Sequence, residues 1–415
     1  MRLGQMIAPL RHAPFRHQFL ARAISLTGSS LAPVAVAFGV LQATGSAGDL
    51  GWVMAAYSVP MLILMLVGGV WADRLPRHHV MIAADLTRCV TQVAFGLLLV
   101  TGHASLWAMV ALQALNGAAQ AFAHPTTLGL TAATAPPESL QQANALLAVT
   151  SDLTGIAGPL IAGTLTVTIG AGWALIIDGA SFLGSALLLS RLHLPPVVRP
   201  ERRFLTEVRD GFREVMRRDW LWSSIAYFAV FNLVFTLFLV LGPVRLAGVP
   251  NGALSWGAIM AALSVGTLCG NALALRIMPR YLLRWPRLAE LLLLPMIVAL
   301  ATAAPVWIMV AAALVMGVIM TFPDALWFTA LQQEIPEEAI SRVSSFDYLG
   351  SFALRPLAYV LAAGLVAVGA SGSLWVIGAV FAVVTLATLA LPGTRNLERR
   401  PAMEPTPEPA PATAP

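Results

Sequence analysis

About twelve stretches of roughly twenty mostly apolar residues fill this chain, and they restrict what it can fold into more than any other feature. A helix needs about 20 such residues to cross the hydrocarbon core of a bilayer. The stretches fall near 18–42, 50–71, 80–101, 105–133, 141–169, 173–192, 220–246, 255–277, 286–303, 306–331, 346–368 and 372–391. Composition leads the same way. The chain is 58% hydrophobic and only 11% charged, whereas soluble domains carry about 25% charged residues. The fold expected is all-α and integral to the membrane, with twelve transmembrane helices.

The net positive charge comes wholly from arginine, because the sequence contains no lysine. Schiff-base and P-loop chemistry, which both need a lysine, are thereby excluded. A pI near 9.9 would suggest nucleic-acid binding in a soluble protein. Here the arginines sit between apolar runs, so topology accounts for them and no nucleic acid is expected. Cys89 and Cys269 lie far apart in apolar runs and form neither a disulfide framework nor a metal cluster. Arg2, Arg11 and Arg16 precede the first apolar run as in a signal peptide, but that run is too long for one and reads as a retained first helix.

Arginine content alternates from loop to loop. One side holds the N-terminus, Arg74 and Arg77, the 193–219 segment, Arg276 to Arg287, Arg342, and Arg395, Arg399 and Arg400. Loops on the other side are short and nearly free of arginine, Arg245 being borderline. The positive-inside rule then puts both termini in the cytoplasm of a bacterial-type inner (plasma) membrane crossed an even number of times.

The longest connection divides the chain. Residues 193–219 carry Arg202, Arg203, Arg209, Arg213, Arg217 and Arg218, with Phe204, Leu205, Val208, Phe212, Val215 and Met216 at helical spacing. That pattern suits a basic amphipathic helix on the anionic inner leaflet. It separates a six-helix half at 1–192 from another at 220–392. The halves echo one another: Pro125 and Pro137-Glu138 recur as Pro323 and Pro336-Glu337, and Gly158-Pro159-Leu160 as Arg355-Pro356-Leu357. Duplicated halves are a transporter plan. The stretch 393–415, rich in Pro, Ala, Glu and Thr, reads as a disordered cytoplasmic tail.

After the second span comes Gly68-Gly69-Val70-Trp71-Ala72-Asp73-Arg74-Leu75-Pro76-Arg77-His78. Glycines there let helix backbones approach closely, Asp73 can sit against a helix N-terminus, and the arginines stay at headgroup level. Such a set can latch one packing arrangement and release it in another; a glycine-rich turn with topogenic arginines is the plainer reading. The stretch resembles the signature loop of the major facilitator superfamily, with Gly69, Asp73, Arg74 and Arg77 at the family positions, Pro76 in place of a glycine and His78 in place of a basic residue. Span five carries Gly155, Gly158, Pro159 and Gly163, which resemble the antiporter motif of drug–proton exchangers in that superfamily. Phe15-Arg16 with Ser25-Leu26-Thr27-Gly28, Gln142-Ala143-Asn144-Ala145-Leu146, Leu331-Gln332 with Ile335-Pro336, and Arg342-Val343-Ser344-Ser345 resemble the branch containing macrolide-efflux and enterobactin-export proteins. The resemblance implies two pseudo-symmetric six-helix halves, alternating access, and a flexible contact at span five that seals the outer side. One departure stands out. Many proton antiporters have a buried arginine in span four, and Gln113 stands there instead, in Gln113-Ala114-Leu115-Asn116-Gly117.

Ionisable residues inside spans are costly, which makes them functional candidates. Arg22, Asp85, Arg88, Asp324 and Asp347 fall near helix ends. Asp85 and Arg88, spaced i, i+3, read as a local pair. Asp152 falls ~18 Å into span five, one turn before the antiporter motif, and is the first candidate proton carrier; Asp324 or Asp178 would be next. Arg355 falls at similar depth in span eleven and suits an anion or counter-ion. Gln113, Asn116 and Asn232 either line a polar cavity or bond neighbouring helices.

These readings converge on a secondary exporter of a small amphipathic molecule (drug, antibiotic or siderophore-like), working by proton antiport as a monomer, with lipids as its other partners. The alternatives are an importer or facilitator of the same fold, or a membrane receptor or scaffold. No enzyme, cofactor or metal is expected: the seven histidines are dispersed and no nucleotide-binding sequence is present. Reporter fusions after Asp49, Ala171 and Gly369 should face the exterior, and fusions near Pro200 and the C-terminus the cytoplasm. A cytoplasmic signal at Gly369 would refute twelve spans.

Overall fold

The computed structural model of the chain describes residues 8–72, 76–136, 139–192, 212–274, 276–277 and 279–398. Its regular structure is helical, apart from one antiparallel bridge between Tyr281 and Glu398. The helices are α1 (Ala13–Ser29), α2 (Ala32–Thr44), α3 (Ala47–Ala72), α4 (Arg77–Val100), α5 (Leu106–Thr134), α6 (Leu140–Thr168), α7 (Ala171–Leu189), α8 (Asp219–Leu246), α9 (Gly252–Ala274), α10 (Arg284–Glu290), α11 (Leu294–Ala301), α12 (Val306–Glu334), α13 (Glu337–Phe352), α14 (Arg355–Val368), α15 (Ala370–Leu389) and α16 (Pro392–Asn396).

Nine helical stretches among the described residues are long and apolar enough to cross a membrane. The other three expected positions hold α5, the pair α10 and α11, and the pair α13 and α14. Three expected spans are interrupted: the first, between α1 and α2, and those two pairs. Proline is the local cause: Pro33, Pro295 and Pro356 each stand in the first turn of the helix that resumes. Its missing N–H is harmless there and its fixed φ suits a helix start. Pro60, Pro159, Pro243 and Pro323 are instead carried inside continuous helices.

Two belts mark where the bundle meets the bilayer surface. Trp52, Trp107, Trp173, Trp307 and Trp375 are exposed, and each lies in the first turns of a helix that starts at the arginine-poor end. Trp222 and Trp285 are exposed at the opposite end, beside Arg217, Arg218 and Arg284. Amphipathic indoles favour headgroup depth, and the apolar surface between the belts suits lipid.

Packing repeats along the chain. α3 lies on α5 as α9 lies on α12, and α4 lies on α7 as α11 lies on α15. Backbone punctuation repeats as well. Gly170 and Gly369 precede α7 and α15 with φ of 98° and 120°, and Gly102 and Ala303 turn before α5 and α12 with φ of 71° and 50°. Gly96 and Gly172 bring α4 and α7 together so closely that a Cβ on Gly172 would stand 2.6 Å from the carbonyl oxygen of Gly96. Small residues at such crossings supply the van der Waals contact that holds helices together in lipid.

The 193–219 and 393–415 segments are described only in part. Of the 193–219 linker, residues 193–211 lie outside the described residues. Residues 212–216 are helical, Val215 is buried with Trp220 and Leu221, and the Phe212 ring lies 6.1 Å from Phe346. Residues 393–398 of the expected tail are ordered. α16 packs beside α8, the N–H of Leu282 donates to the Leu397 carbonyl at 3.0 Å, and Arg280 pairs with Glu398 at 3.0 Å. Leu397 packs against the cluster of Leu282, Leu283 and Trp220, and this apolar contact orders the segment. Residues 399–415 lie outside the described residues.

Ala303 is a left-handed residue with a side chain, whereas a methyl group placed on its counterpart Gly102 would meet nothing within 4 Å. Left-handed backbone costs an L-residue about 1–2 kcal/mol. Ala303→Gly should therefore raise the thermal unfolding midpoint of the purified protein, and Gly102→Ala should lower it by a similar amount.

Candidate functional site

Helices α1–α7 and α8–α15 form two groups that meet chiefly along two seams, α6 on α9 and α3 on α14. The antiporter-like residues build the first seam. A Cβ on Gly163 would stand 2.6 Å from the Ala253 carbonyl oxygen, Gly257 packs against the Pro159 carbonyl, and Ser264 Oγ donates to the Gly155 carbonyl at 2.8 Å. Gly158 faces the other way, onto Ser30 at the α1–α2 break. On the second seam Gly51 packs against the Tyr359 backbone, where a Cβ would stand 2.5 Å from its carbonyl oxygen.

The seams do not run the full length of the bundle. α2 and α14, at the arginine-poor end, touch the opposite group. α1 and α13, at the arginine-rich end, pack within their own groups, α1 on α5, α6 and α7 and α13 on α8 and α12. The groups are thus joined at the arginine-poor end and diverge toward the other.

Two charged side chains lie where they diverge. Asp152 shares a sector of about 80° on α6 with Gly155, Pro159 and Gly163, so it faces the second group just beyond the seam. It is half-buried and makes no hydrogen bond or ion pair among the described residues. Arg355 opens α14, one turn before the Tyr359 contact of the second seam. Its Nη2 and Nε donate to Asn232 Oδ1 at 2.9 and 3.2 Å, and its guanidinium lies 4.2 Å from the Phe352 ring centroid. Tyr348 and Tyr359 flank it. Among the described residues it has no carboxylate partner, so a partly exposed cation is held by a neutral amide and an aromatic face. Such a fork suits an anionic or planar acceptor.

The remaining predicted residues fall elsewhere. Gln113 and Asn116 do not line the opening: each is 4% exposed and bonded inside the first group. Gly69 lies within α3, but Asp73 and Arg74 lie outside the described residues, so of the signature loop only Arg77, the first residue of α4, can be placed beside it. Asp85 and Arg88 are not a local pair. Asp85 Oδ2 accepts from Ser185 Oγ at 2.6 Å, while Arg88 reaches Asn116 Oδ1 at 3.3 Å and Ser29 Oγ at 3.4 Å and lies 3.8 Å over the Phe182 ring. Spacing of i, i+3 brings Cβ atoms close but does not bind side chains that find better partners on other helices. Arg88 also lies deeper than expected, ~17 Å into α4, because that helix starts at Arg77.

Two more groups are not evident from the sequence. Arg287 reads there as a loop arginine. In the fold it is 2% exposed, bonded to Glu290 at 3.0 Å and stacked 3.6 Å over Tyr227. Asp347, expected near a helix end, accepts from Trp327 Nε1 at 2.8 Å and Ser351 Oγ at 3.1 Å. Acidic and basic residues three apart in a span would have flagged the first; no local signal marks the second. No group of three potential metal ligands occurs among the described residues.

Known proteins share this architecture. Residues 18–358 match the sequence profile of the Major Facilitator Superfamily. The enterobactin exporter EntS of Escherichia coli O1:K1 / APEC is 28% identical over 339 residues, covering 80% of each chain. EntS of Shigella flexneri is 27% identical over 335 residues with the same coverage. Among solved structures, the nucleoside transporter NupG superposes with a TM-score of 0.74 at 11% identity, over 91% of this chain and 98% of that one. An inward-facing bacterial homologue of the iron transporter ferroportin gives 0.69 at 18% identity, over 94% and 99%. These structural likenesses establish the fold, and the profile match covers most of the chain. The protein is a multi-pass membrane transporter that belongs to the Major Facilitator Superfamily.

Proposed function

We propose that this transporter exports a small amphipathic molecule bearing an acidic group, by alternating access coupled to proton entry. The observation that carries the reading is the one-ended seam. Backbones of α6 and α9 touch through Gly155, Pro159, Gly163 and Gly257, while α1 and α13 stay within their own groups. With arginine-rich loops inside, the arrangement is open to the cytoplasm and ready to load cargo there. Relatives at 27–28% identity are named as enterobactin exporters, which supports outward transport. In this reading 1–192 and 220–392 are the rocking halves and Arg202 to Arg218 lie against anionic inner-leaflet lipid. Both termini are in the cytoplasm, and the unit is a monomer.

The two charges in the opening divide the work. Arg355, held by Asn232, receives the anionic group of the cargo. Asp152, on α6 and one turn from the first seam, is the carboxylate that the cargo meets and that an incoming proton can neutralise. Asp73, Arg74 and Arg77 are assigned to the latch that closes the cytoplasmic side in the alternate state.

Reconstitution in liposomes tests this with enterobactin and a macrolide as probes under an imposed proton gradient. Arg355→Gln removes a charged hydrogen bond of about 1.5–3 kcal/mol, so the KM for enterobactin should rise about tenfold or more while the macrolide is less affected. Asp152→Asn should lose uphill efflux and keep downhill exchange. Uphill efflux by Asp152→Asn at the wild-type rate would remove Asp152 from coupling.

The seam makes a separate expectation. Gly257→Leu drives a side chain into the Pro159 carbonyl, and overpacking of this kind costs about 1–3 kcal/mol. The outer contact should open, so that a cysteine replacing Ser264 is labelled by an impermeant maleimide from outside, whereas it is protected when Gly257 is present. Equal labelling in both backgrounds would show that this seam is not the outer gate.

A further inference from the structure

Inside the first group, a run of hydrogen bonds links side chains of three helices, α4, α5 and α7. Arg88 Nε (α4) donates to Asn116 Oδ1 (α5) at 3.3 Å, and Asn116 Nδ2 donates to Gln113 Oε1 at 3.4 Å. Gln113 Nε2 donates to Gln92 Oε1 (α4) at 3.5 Å, and Gln92 Nε2 donates to Asp178 Oδ2 (α7) at 2.6 Å. Every amide in the run gives through its NH2 and accepts through its carbonyl, in one sense throughout. The run starts at a guanidinium and ends at a carboxylate, so three aligned amide dipoles connect opposite charges that form no ion pair with each other.

The carboxylate end is unfinished. Asp178 is 1% exposed, and its Oδ1 is buried with no hydrogen-bond partner among the described residues. A buried carboxylate satisfied on one oxygen is costly as an anion, and a proton on the free oxygen removes that cost. The groups facing it can be named helix by helix. α4 presents Arg88, Asp85 and Cys89; Asp85 is held by Ser185 and the Cys89 thiol bonds the Leu183 backbone. α1 presents Arg22, which acts on Asp85 and Arg88. α2 has no titratable residue, α6 has Asp152, which faces the other group, and Tyr57 of α3 lies within electrostatic reach of both Arg88 and Asp178.

The cation end touches the parts that move. Arg88 Nη2 donates to Ser29 Oγ at 3.4 Å, and the next residue, Ser30, is the one packed on Gly158 of α6. Asn116 precedes Gly117, which lies against the Tyr57 backbone of α3. α6 and α3 are the helices that form the two seams.

We propose that Asp178 is a proton-binding site, and that the aligned amides of Gln92, Gln113 and Asn116 pass its charge state to Arg88 and thence to α6 and α3. The proton adds to Oδ1 of the carboxylate and leaves from it; no proton travels along the amides, which change only in polarisation and hydrogen-bond strength. Hydrogen bonds in such a chain strengthen one another. Neutralising Asp178 weakens the pull on Gln92 and, link by link, on Arg88 and Ser29. The proposal rests on the reading of the chain as a proton-coupled transporter, and adds a second proton site inside the first group to Asp152 in the opening.

Infrared difference spectra between acid and alkaline pH, recorded on the full chain in lipid nanodiscs, test the site without any cargo. The wild type should show the C=O band of a protonated carboxylic acid that Asp178→Asn loses and Asp152→Asn retains. Asp178→Glu should move the band's frequency, and it serves if the Asn variant does not fold. Gln113→Leu cuts the run without touching Asp178, and should hold the band to higher pH by about one unit, a tenfold change in proton affinity. An Asp178→Asn spectrum identical to wild type overturns the site, and an unmoved midpoint in Gln113→Leu overturns the transmission. Because the readout needs no transport, a chain that exports neither enterobactin nor the macrolide would still return a clear answer on Asp178.

Discussion

In a bilayer, an apolar side chain gains little by leaving lipid for another helix, so close backbone packing and internal hydrogen bonds must hold the bundle together. That constraint shapes most of this fold. Gly96 meets Gly172, Gly117 meets Tyr57, and Gly266 meets Gly317, each so closely that a side chain would collide with a neighbouring backbone. Each of these contacts lies inside a single group of helices, two in the first and one in the second. The same device recurs between groups at Gly163 and Gly257, but over only part of the helix length. A contact made of glycines is dry, shallow and free of interlocked side chains. It can therefore part and reform without repacking a core.

Polar groups in the bundle follow a second rule, that a charge in hydrocarbon needs a partner or a purpose. Arg287 is engaged by Glu290 and the Tyr227 ring, and such a buried pair fixes geometry more than it adds stability. Arg88 is engaged by neutral oxygens and the Phe182 ring. Arg355 is oriented by Asn232 without being neutralised. Asp152 makes no hydrogen bond or ion pair among the described residues. The contrast between engaged and open charge separates architecture from working surface more clearly than depth does.

Much of the fold was legible in the residues. Helix ends at Thr134, Leu246 and Val368 lie within a residue of the expected boundaries, because apolar runs, arginines and turn glycines all mark the membrane surface. The antiporter-like glycines were legible for a related reason: close backbone approach demands a missing side chain. The partners of Arg88 were not, since its helix offers Asp85 one turn away and only the neighbouring helices decide that Asn116, Ser29 and Phe182 are nearer. Gln113 and Asn116 were open between a cavity and an interhelical bond, and residue type alone cannot choose. The expected tail failed at 393–398 because Leu397 found an apolar cluster assembled from α8, α12 and the segment before α10.

By itself, then, the sequence determined the solvent this protein lives in, the approximate position of the nine stretches long and apolar enough to cross a membrane among the described residues, and the places where helices approach most closely. Each follows from local chemistry: hydrophobic length, arginine at headgroups, and glycine where no side chain fits. Which polar residues pair, which face the opening and at which end the two groups touch were decided only in three dimensions. Those outcomes depend on the rotation of each helix about its axis and on what the next helix presents, and no local stretch of residues encodes either. Asp152 and Asp178 show the difference. Both are single aspartates in apolar runs, yet helix rotation turns one toward the opposite group and buries the other at the end of an amide chain.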